Sequence, residues 1–80
     1  MNISEVTANR IIQLCEEHHI TVNKLCTISG ITQSTVNGIV NHKVKNIGIV
    51  TIKKLCDGLK ISITDFFDTP EFKSLDQEIY

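Results

Sequence analysis

A glycine at position 30 stands between two short segments of helical apolar spacing, and this arrangement constrains the fold more than any other feature of the 80-residue chain. Because an L-residue with positive φ costs roughly 1–2 kcal/mol, a glycine here indicates an abrupt turn. Residues 21–43 therefore predict a short helix, a tight turn and a second short helix, with Thr21 and Thr32 as N-caps. The residues expected to face the core are Leu25, Cys26, Ile28, Ile31, Val36, Ile39 and Val40.

The outward side of the second helix is small, polar and uncharged. Its members are Gln33, Ser34, Asn37, Gly38 and Asn41. An Asn or Gln side chain can bond N6 and N7 of adenine together, so two amides on an exposed helix suit the major groove of DNA. The alternative is a polar face that contacts only solvent. The order of helix, turn and helix favours the first interpretation, a helix-turn-helix motif.

The rest of the chain predicts an all-α, compact five-helix bundle around this motif. An 80-residue chain buries only about 60% of the surface that its unfolded form exposes, so it supports one small core. A first helix is expected over residues 4–18, with Ile11, Leu14, Cys15 and His18 inward and Ile12 alongside. A fourth is expected over residues 49–59, capped by Gly48, with Ile49, Ile52, Leu55, Cys56 and Leu59 buried. A capping box over residues 62–65 starts a short fifth helix that buries Phe66 and Phe67.

Residues 1–67 are expected to form the domain, and residues 68–80 a C-terminal tail. Thr69, Pro70 and Glu71 have the order of an N-cap, a first-turn proline and an acidic first turn, which favours a short sixth, amphipathic helix. Phe72, Leu75 and Ile79 follow at i, i+3 and i+7. They either pack onto the domain or, with Phe67, form a dimerisation surface; a frayed tail is the third alternative.

The charges divide into two regions. The net charge of the chain is −1, yet residues 18–60 contain six lysines against Asp57 alone. The acidic residues lie in the flanks, so the positive charge coincides with the helix-turn-helix motif. Contact with DNA phosphates is one explanation, and lysines that only solvate an exposed face are the other.

No other chemistry is indicated by the sequence. No two of the three cysteines have the C-x-x-C spacing that is common in metal sites. All three, Cys15, Cys26 and Cys56, lie on predicted core faces, so no metal site is expected. No phosphate-binding loop or catalytic constellation occurs, which predicts a protein that is not an enzyme and has no cofactor or small-molecule ligand. The sequence has no apolar run of membrane-spanning length and no basic, apolar leader. A cytoplasmic location is therefore expected.

With these residues in place, residues 6–67 resemble the Cro and phage-repressor type of helix-turn-helix domain, the XRE-like group. The positions of agreement are Leu25, Cys26, Gly30, Ile31, Val36, Ile39, Leu55, Cys56, Leu59, Ile61, Ser62, Ile63, Phe66 and Phe67. The resemblance implies a lambda-repressor-like fold and a sequence-specific transcriptional regulator, in particular a repressor, that binds double-stranded DNA. Because one such domain reads few base pairs, it also implies a homodimer, at least on DNA.

The departures from the family pattern lead to further expectations. Cys15 and Val40 occupy the positions of a frequent buried Arg–Glu pair, and we expect their side chains to touch. His42 and Lys60 stand where glycine is usual after a helix, which predicts either mild strain or a different conformation in these two turns.

Two further departures concern DNA contacts. Val22 replaces a frequent phosphate-binding glutamine. Gly38 stands where a long base-reading side chain is common.

The resemblance assigns roles to the polar residues of the motif. The candidates for base edges are Gln33, Ser34 and Asn37. The candidates for the DNA backbone are Asn23, Thr32, Asn41, His42, Lys43 and Lys45. The alternative function is a protein-binding helix-turn-helix module, such as an antitoxin or a regulatory subunit.

Overall fold

The structure, a computed structural model, describes residues 1–79 and contains six helices and no strand within them. The helices are α1 (Ile3–Glu17), α2 (Val22–Ser29), α3 (Gln33–Val40), α4 (Ile49–Leu59), α5 (Ile63–Phe67) and α6 (Pro70–Lys73). Helices α2 and α4 make the most extensive contact, and α3 packs against both α1 and α2. The predicted all-α fold with a helix-turn-helix is confirmed.

Local side-chain bonds begin four of the helices. Asn2 Oδ1 accepts from the Glu5 amide at 2.9 Å, and Thr21 Oγ1 accepts from the Lys24 amide at 3.0 Å. Ser62 and Thr69 cap α5 and α6 in the same way. These bonds satisfy amides that have no partner inside their own helix. Thr32 has the backbone geometry of an N-cap at α3, but its hydroxyl makes no capping bond.

The turn between α2 and α3 is the predicted one. Gly30 has φ 67° and ψ 32°, in the left-handed region that favours glycine. The Ile31 amide then donates to the Cys26 carbonyl at 3.1 Å, which closes the end of α2. Ile31 packs against the core immediately after the turn.

One apolar core joins the first five helices. Its buried members are Ala8, Ile11, Leu14, Cys15, Leu25, Cys26, Val36, Ile39, Ile52, Leu55, Cys56, Leu59 and Phe66. All three cysteines are buried and free, as the sequence predicted. Val40 is half-buried against this core, and α1 contacts α3. A direct contact between Cys15 and Val40 remains a prediction.

Four residues predicted to be inward are exposed. Ile28 is 41% exposed because the buried face of α2 is centred on Leu25, Cys26 and the half-buried Ser29. Ile49 is 62% exposed because it lies on the first turn of α4, before that helix reaches the core.

The other two exposed residues belong to α1. Ile12 lies on the flank of the helix and is 37% exposed. His18 is exposed as the C-cap, where its ring Nδ1 lies 2.9 Å from the Leu14 carbonyl oxygen.

The tail folds back over α1. Phe72 stacks edge-on against Phe67, with ring centroids 4.9 Å apart, and lies 6.2 Å from Phe66. The Met1 ammonium lies 3.2 Å from the Asp76 carboxylate, and the Asp76 amide donates to the Met1 carbonyl. A sixth helix is thus present. The division into a domain of residues 1–67 and a tail of residues 68–80 remains a prediction.

The helix predicted in the tail is longer than the helix observed there. Helix α6 ends at Lys73, so Phe72, Leu75 and Ile79 do not lie on one helical face. Phe72 and Leu75 are half-buried, whereas Ile79 is 78% exposed.

Candidate DNA-binding surface

Helix α3 presents a polar face to solvent and an apolar face to the core. Val36 and Ile39 are buried and fix the rotation of the helix. Gln33, Ser34 and Asn37 are exposed on the other side. Residues three and four positions apart are neighbours on a helix, so Asn37 lies beside both of the others. The three candidates for base edges therefore share one accessible face.

The start of α3 carries a small hydroxyl cluster. Thr32 Oγ1 lies 2.8 Å from Thr35 Oγ1 and 3.4 Å from Ser34 Oγ. All three residues are exposed, so each hydroxyl can also bond an outside group. The Thr32 hydroxyl bonds within this cluster and makes no capping bond to an amide of α3. Thr35 was not predicted from the sequence, although its position in the first turn of α3 places it beside Thr32.

The loop after α3 turns back over the end of that helix. His42 has φ 60°, and the amides of Lys43 and Val44 both donate to the Gly38 carbonyl, at 2.9 and 3.2 Å. The Val44 side chain then covers Gly38, where an added Cβ would lie 3.1 Å from Val44 Cγ2. Gly38 is consequently half-buried and not part of the outward face, which corrects the sequence prediction.

The residues predicted to contact the DNA backbone lie around α3. Asn41, His42, Lys43 and Lys45 are exposed in the loop, and Asn23 is exposed in the first turn of α2. Among residues 1–79, neither Lys43 nor Lys45 forms an ion pair. Both charges are therefore free to attract an external anion.

The lysines of α4 differ from those of the loop. Lys53 bonds the Asp57 carboxylate one turn away, and this hydrogen bond raises the pKa of the Lys53 ammonium. Lys54 is exposed and has no such partner within residues 1–79. Lys43 and Lys45 in the loop and Lys54 on α4 are thus positive charges without an acidic partner within residues 1–79.

The beginning of α1 borders the same loop, a proximity that the sequence does not predict. Asn2, Ser4 and Glu5 line a surface depression together with His42 and Lys45. Only tertiary packing brings these segments together, because about 40 residues separate them in the sequence.

Within the described part of the chain, no group of three His, Cys, Asp or Glu residues is arranged to hold a metal ion. Burial raises the pKa of the Cys15, Cys26 and Cys56 thiols, so they remain protonated at neutral pH. None of the helices in residues 1–79 has the length and apolar character needed to cross a bilayer.

Comparison with known proteins agrees with this geometry. The chain is similar over 94% of its length to the whole of a solved structure described as "Crystal structure of the prophage Lp1 protein 11", with 34% sequence identity and a TM-score of 0.82. No curated protein matches the chain. The family model described as "Cro/C1-type HTH DNA-binding domain" matches residues 10–71. The chain therefore belongs to the Cro/C1-type family of helix-turn-helix DNA-binding domains.

Proposed function

We propose that the protein is a sequence-specific transcriptional repressor that reads the major groove of its operator with α3. The observation that carries this proposal is the exposed face of Gln33, Ser34 and Asn37. This face lies next to a loop whose lysines form no ion pair within residues 1–79. Residues near the start of the second helix of such a motif reach base edges. Repression then follows from occupation of the operator.

The site residues divide into two roles under this proposal. Gln33, Ser34 and Asn37 contact base edges, and an amide that bonds a base in a bidentate way contributes about 1–3 kcal/mol of discrimination. The backbone contacts come from Asn23, Thr32, Asn41, His42, Lys43 and Lys45. All nine side chains are exposed, so each can reach DNA without unfolding any element.

Two copies are needed for useful affinity. A single eight-residue helix such as α3 contacts only a few base pairs, so tight binding requires a second copy on a half-site about one helical turn away. We therefore propose a homodimer on DNA. Four residues were predicted to form a dimerisation surface: Phe67, Phe72, Leu75 and Ile79. Phe72 packs within its own chain, and Ile79 is the most exposed of the four.

The test compares two alanine variants in gel-shift assays with DNA flanking the protein's own gene, at about 50 and 200 mM salt. Lys43→Ala removes a phosphate contact, so it should weaken binding to all duplexes alike and reduce the salt slope by about 1. Gln33→Ala should instead reduce the preference for the cognate duplex over unrelated DNA. Lys73→Ala, a lysine of α6 paired with Asp68, is the matched control and should change neither.

Two outcomes would contradict the proposal. Loss of preference alone in both variants would show that the assignment of Lys43 to the backbone is wrong. No retention of any duplex at about 50 mM salt would exclude an operator-binding function, because electrostatic attraction is strongest at low salt. Tight binding of a protein partner would then favour the protein-binding module.

A further inference from the structure

Val44 lies on the surface of α3, although it belongs to the loop that follows this helix. The chain reverses through the left-handed residue His42, and the amides of Lys43 and Val44 both donate to the Gly38 carbonyl. A Cβ at Gly38 would lie 3.1 Å from Val44 Cγ2, which is closer than an ordinary van der Waals contact. The Val44 side chain thus occupies the space that a side chain at position 38 would need.

Val44 takes the place of a side chain on the outward side of α3. Gly38, which it covers, follows Ser34 by four residues and precedes Asn41 by three, and residues at these spacings are neighbours on a helix. Ser34 and Asn41 are both exposed. Val44 therefore adds an apolar group to a surface that otherwise carries amides and hydroxyls.

The apolar core does not account for Val44. Among residues 1–79, Val44 belongs neither to the buried core nor to the half-buried apolar residues that pack against it. The contact with Gly38 covers one side of Val44, and 36% of the residue remains exposed. That exposed part is accessible to a ligand that binds α3.

The neighbours of Val44 in the sequence bring it to the duplex under the proposed function. Lys43 precedes it and Lys45 follows it. Both are exposed, and neither forms an ion pair within residues 1–79. Contacts of these lysines with phosphates fix the position of the loop on the DNA backbone. Val44 lies between the two lysines and against α3, so DNA binding places it beside the major groove that α3 enters.

The major groove offers one apolar group to such a side chain, the C5-methyl group of thymine. The other groups on the base edges there are hydrogen-bond donors and acceptors, which an apolar side chain can only deprive of water. A valine at this place is therefore complementary to a thymine methyl group. It is unfavourable opposite the polar edges of guanine and of cytosine that lacks a methyl group.

We infer that Val44 determines part of the sequence specificity, because its γ-methyl groups contact the C5-methyl group of a pyrimidine beside the base that Ser34 reads. The inference rests on the proposed function and adds to it a base-reading residue from outside α3. Gly38 takes part, since a Cβ at that position would displace Val44 from the helix. Two bases carry the methyl group in DNA, thymine and 5-methylcytosine.

The experiment measures the effect of the methyl group itself. Duplexes are selected from a random pool with the wild-type protein, and each thymine of a selected duplex is replaced singly by uracil, which lacks only the C5-methyl group. The measured quantity is the ratio of the dissociation constants for the uracil and thymine duplexes. A general loss of affinity or of stability in a variant changes both constants alike and leaves this ratio unchanged.

Three variants are compared with the wild type. Val44→Ala removes both γ-methyl groups, and Val44→Thr keeps the branched shape while it replaces one methyl group by a hydroxyl. The matched control is Val50→Ala, because Val50 is an exposed valine on α4 and not on α3. Val44→Thr also provides the ratio if the loop does not keep its course around an alanine.

We expect uracil at one thymine position to weaken wild-type binding about fourfold, which corresponds to about 0.8 kcal/mol for one buried methyl-sized group. At that position Val44→Ala should bind the uracil and thymine duplexes within about 1.5-fold of each other, and Val44→Thr should give a ratio of about two. Val50→Ala should keep the wild-type ratio. At all other thymines the variants should match the wild type.

A further pair of duplexes distinguishes the two sources of the methyl group. At the mapped position the T·A pair is replaced by a C·G pair, with and without a 5-methyl group on the cytosine. Tighter binding of the methylated duplex by the wild type, but not by Val44→Ala, identifies both bases as ligands of Val44. Equal binding of the two duplexes restricts the ligand to thymine.

Two results would overturn the inference and leave the proposed function intact. Unchanged wild-type binding with uracil at every position would show that no methyl group is read. A methyl dependence that Val44→Ala and Val44→Thr retain in full would show that another residue makes the contact. Failure to select any duplex would instead reject the proposed function, and the inference with it.

Discussion

At the scale of single residues, three helix ends use a left-handed residue other than glycine. His19, His42 and Lys60 have φ of 54°, 60° and 59°. At Lys60 the geometry matches that of Gly30, since the following amide closes the helix in both cases. His42 and Lys60, where strain or a different turn conformation was predicted, both adopt the left-handed conformation, whereas His19 was not identified from the sequence.

Replacement of Lys60 by glycine should stabilise the fold. Lys60→Gly removes the cost of an L-residue in the left-handed region, and we expect the free energy of unfolding to rise by about 1 kcal/mol. Lys54→Gly is the matched control, because Lys54 is exposed inside α4. Its free energy of unfolding should fall by about 0.5–1 kcal/mol, since glycine has a poorer helix propensity. Urea denaturation measures both. Destabilisation by both variants would contradict the argument.

At the scale of elements, α2 and α4 approach each other closely where Gly58 faces Ser29. A Cβ at Gly58 would lie 2.3 Å from Ser29 Oγ and 3.2 Å from Ser29 Cα. The Ser29 hydroxyl is buried and has no hydrogen-bond partner within residues 1–79. The need for glycine at position 58 thus comes from the neighbouring helix and not from a turn.

Gly58→Ala should therefore destabilise the protein despite the higher helix propensity of alanine. We expect the free energy of unfolding to fall by about 1–3 kcal/mol, since the added methyl group overpacks the helix contact. Ser29→Ala should have little effect or stabilise slightly, because it removes an unsatisfied buried hydroxyl.

The double variant tests the cause. In G58A/S29A the closest clashing atom is absent, so part of the loss from Gly58→Ala should be recovered. Additive effects in thermal or urea unfolding would argue against a direct contact between the two positions.

At the scale of the whole molecule, one core contains free thiols from α1, α2 and α4. Burial raises the pKa of Cys15, Cys26 and Cys56 above their ordinary value of 9.0. Above pH 9 the unfolded chain releases these protons while the folded chain retains them. The folded state is then disfavoured as pH rises, and below pH 9 the thiols contribute no pH dependence.

The free energy of unfolding should thus be insensitive to the thiols between pH 7 and 8, and should fall above about pH 9. Each thiol contributes up to about 1.4 kcal/mol per pH unit. Cys56→Ala should give a less steep fall than wild type, and Ser29→Ala, which removes no titrating group, should keep the wild-type slope. Urea denaturation at pH 7.5 and 9.5 measures the difference. An unchanged slope in Cys56→Ala would contradict the prediction.

The sequence alone was sufficient for features that depend on local interactions. The turn at Gly30, the caps at Thr21, Ser62 and Thr69, and the span of α4 follow from neighbouring residues and were predicted correctly. The polar face of α3 was also foreseen, because helical spacing determines which residues share a face. These features need only the bond geometry of the chain and the period of the helix.

Only the tertiary structure decided which members of an apolar pattern are buried. Ile28 and Ile49 continue helical stripes but point away from the core. Gly38 was expected on the outward face of α3 but is covered by Val44. The course of the tail depends on Phe72 and Asp76 reaching distant partners. Helical period defines a face to within one or two residues, whereas burial depends on how neighbouring elements pack against that face.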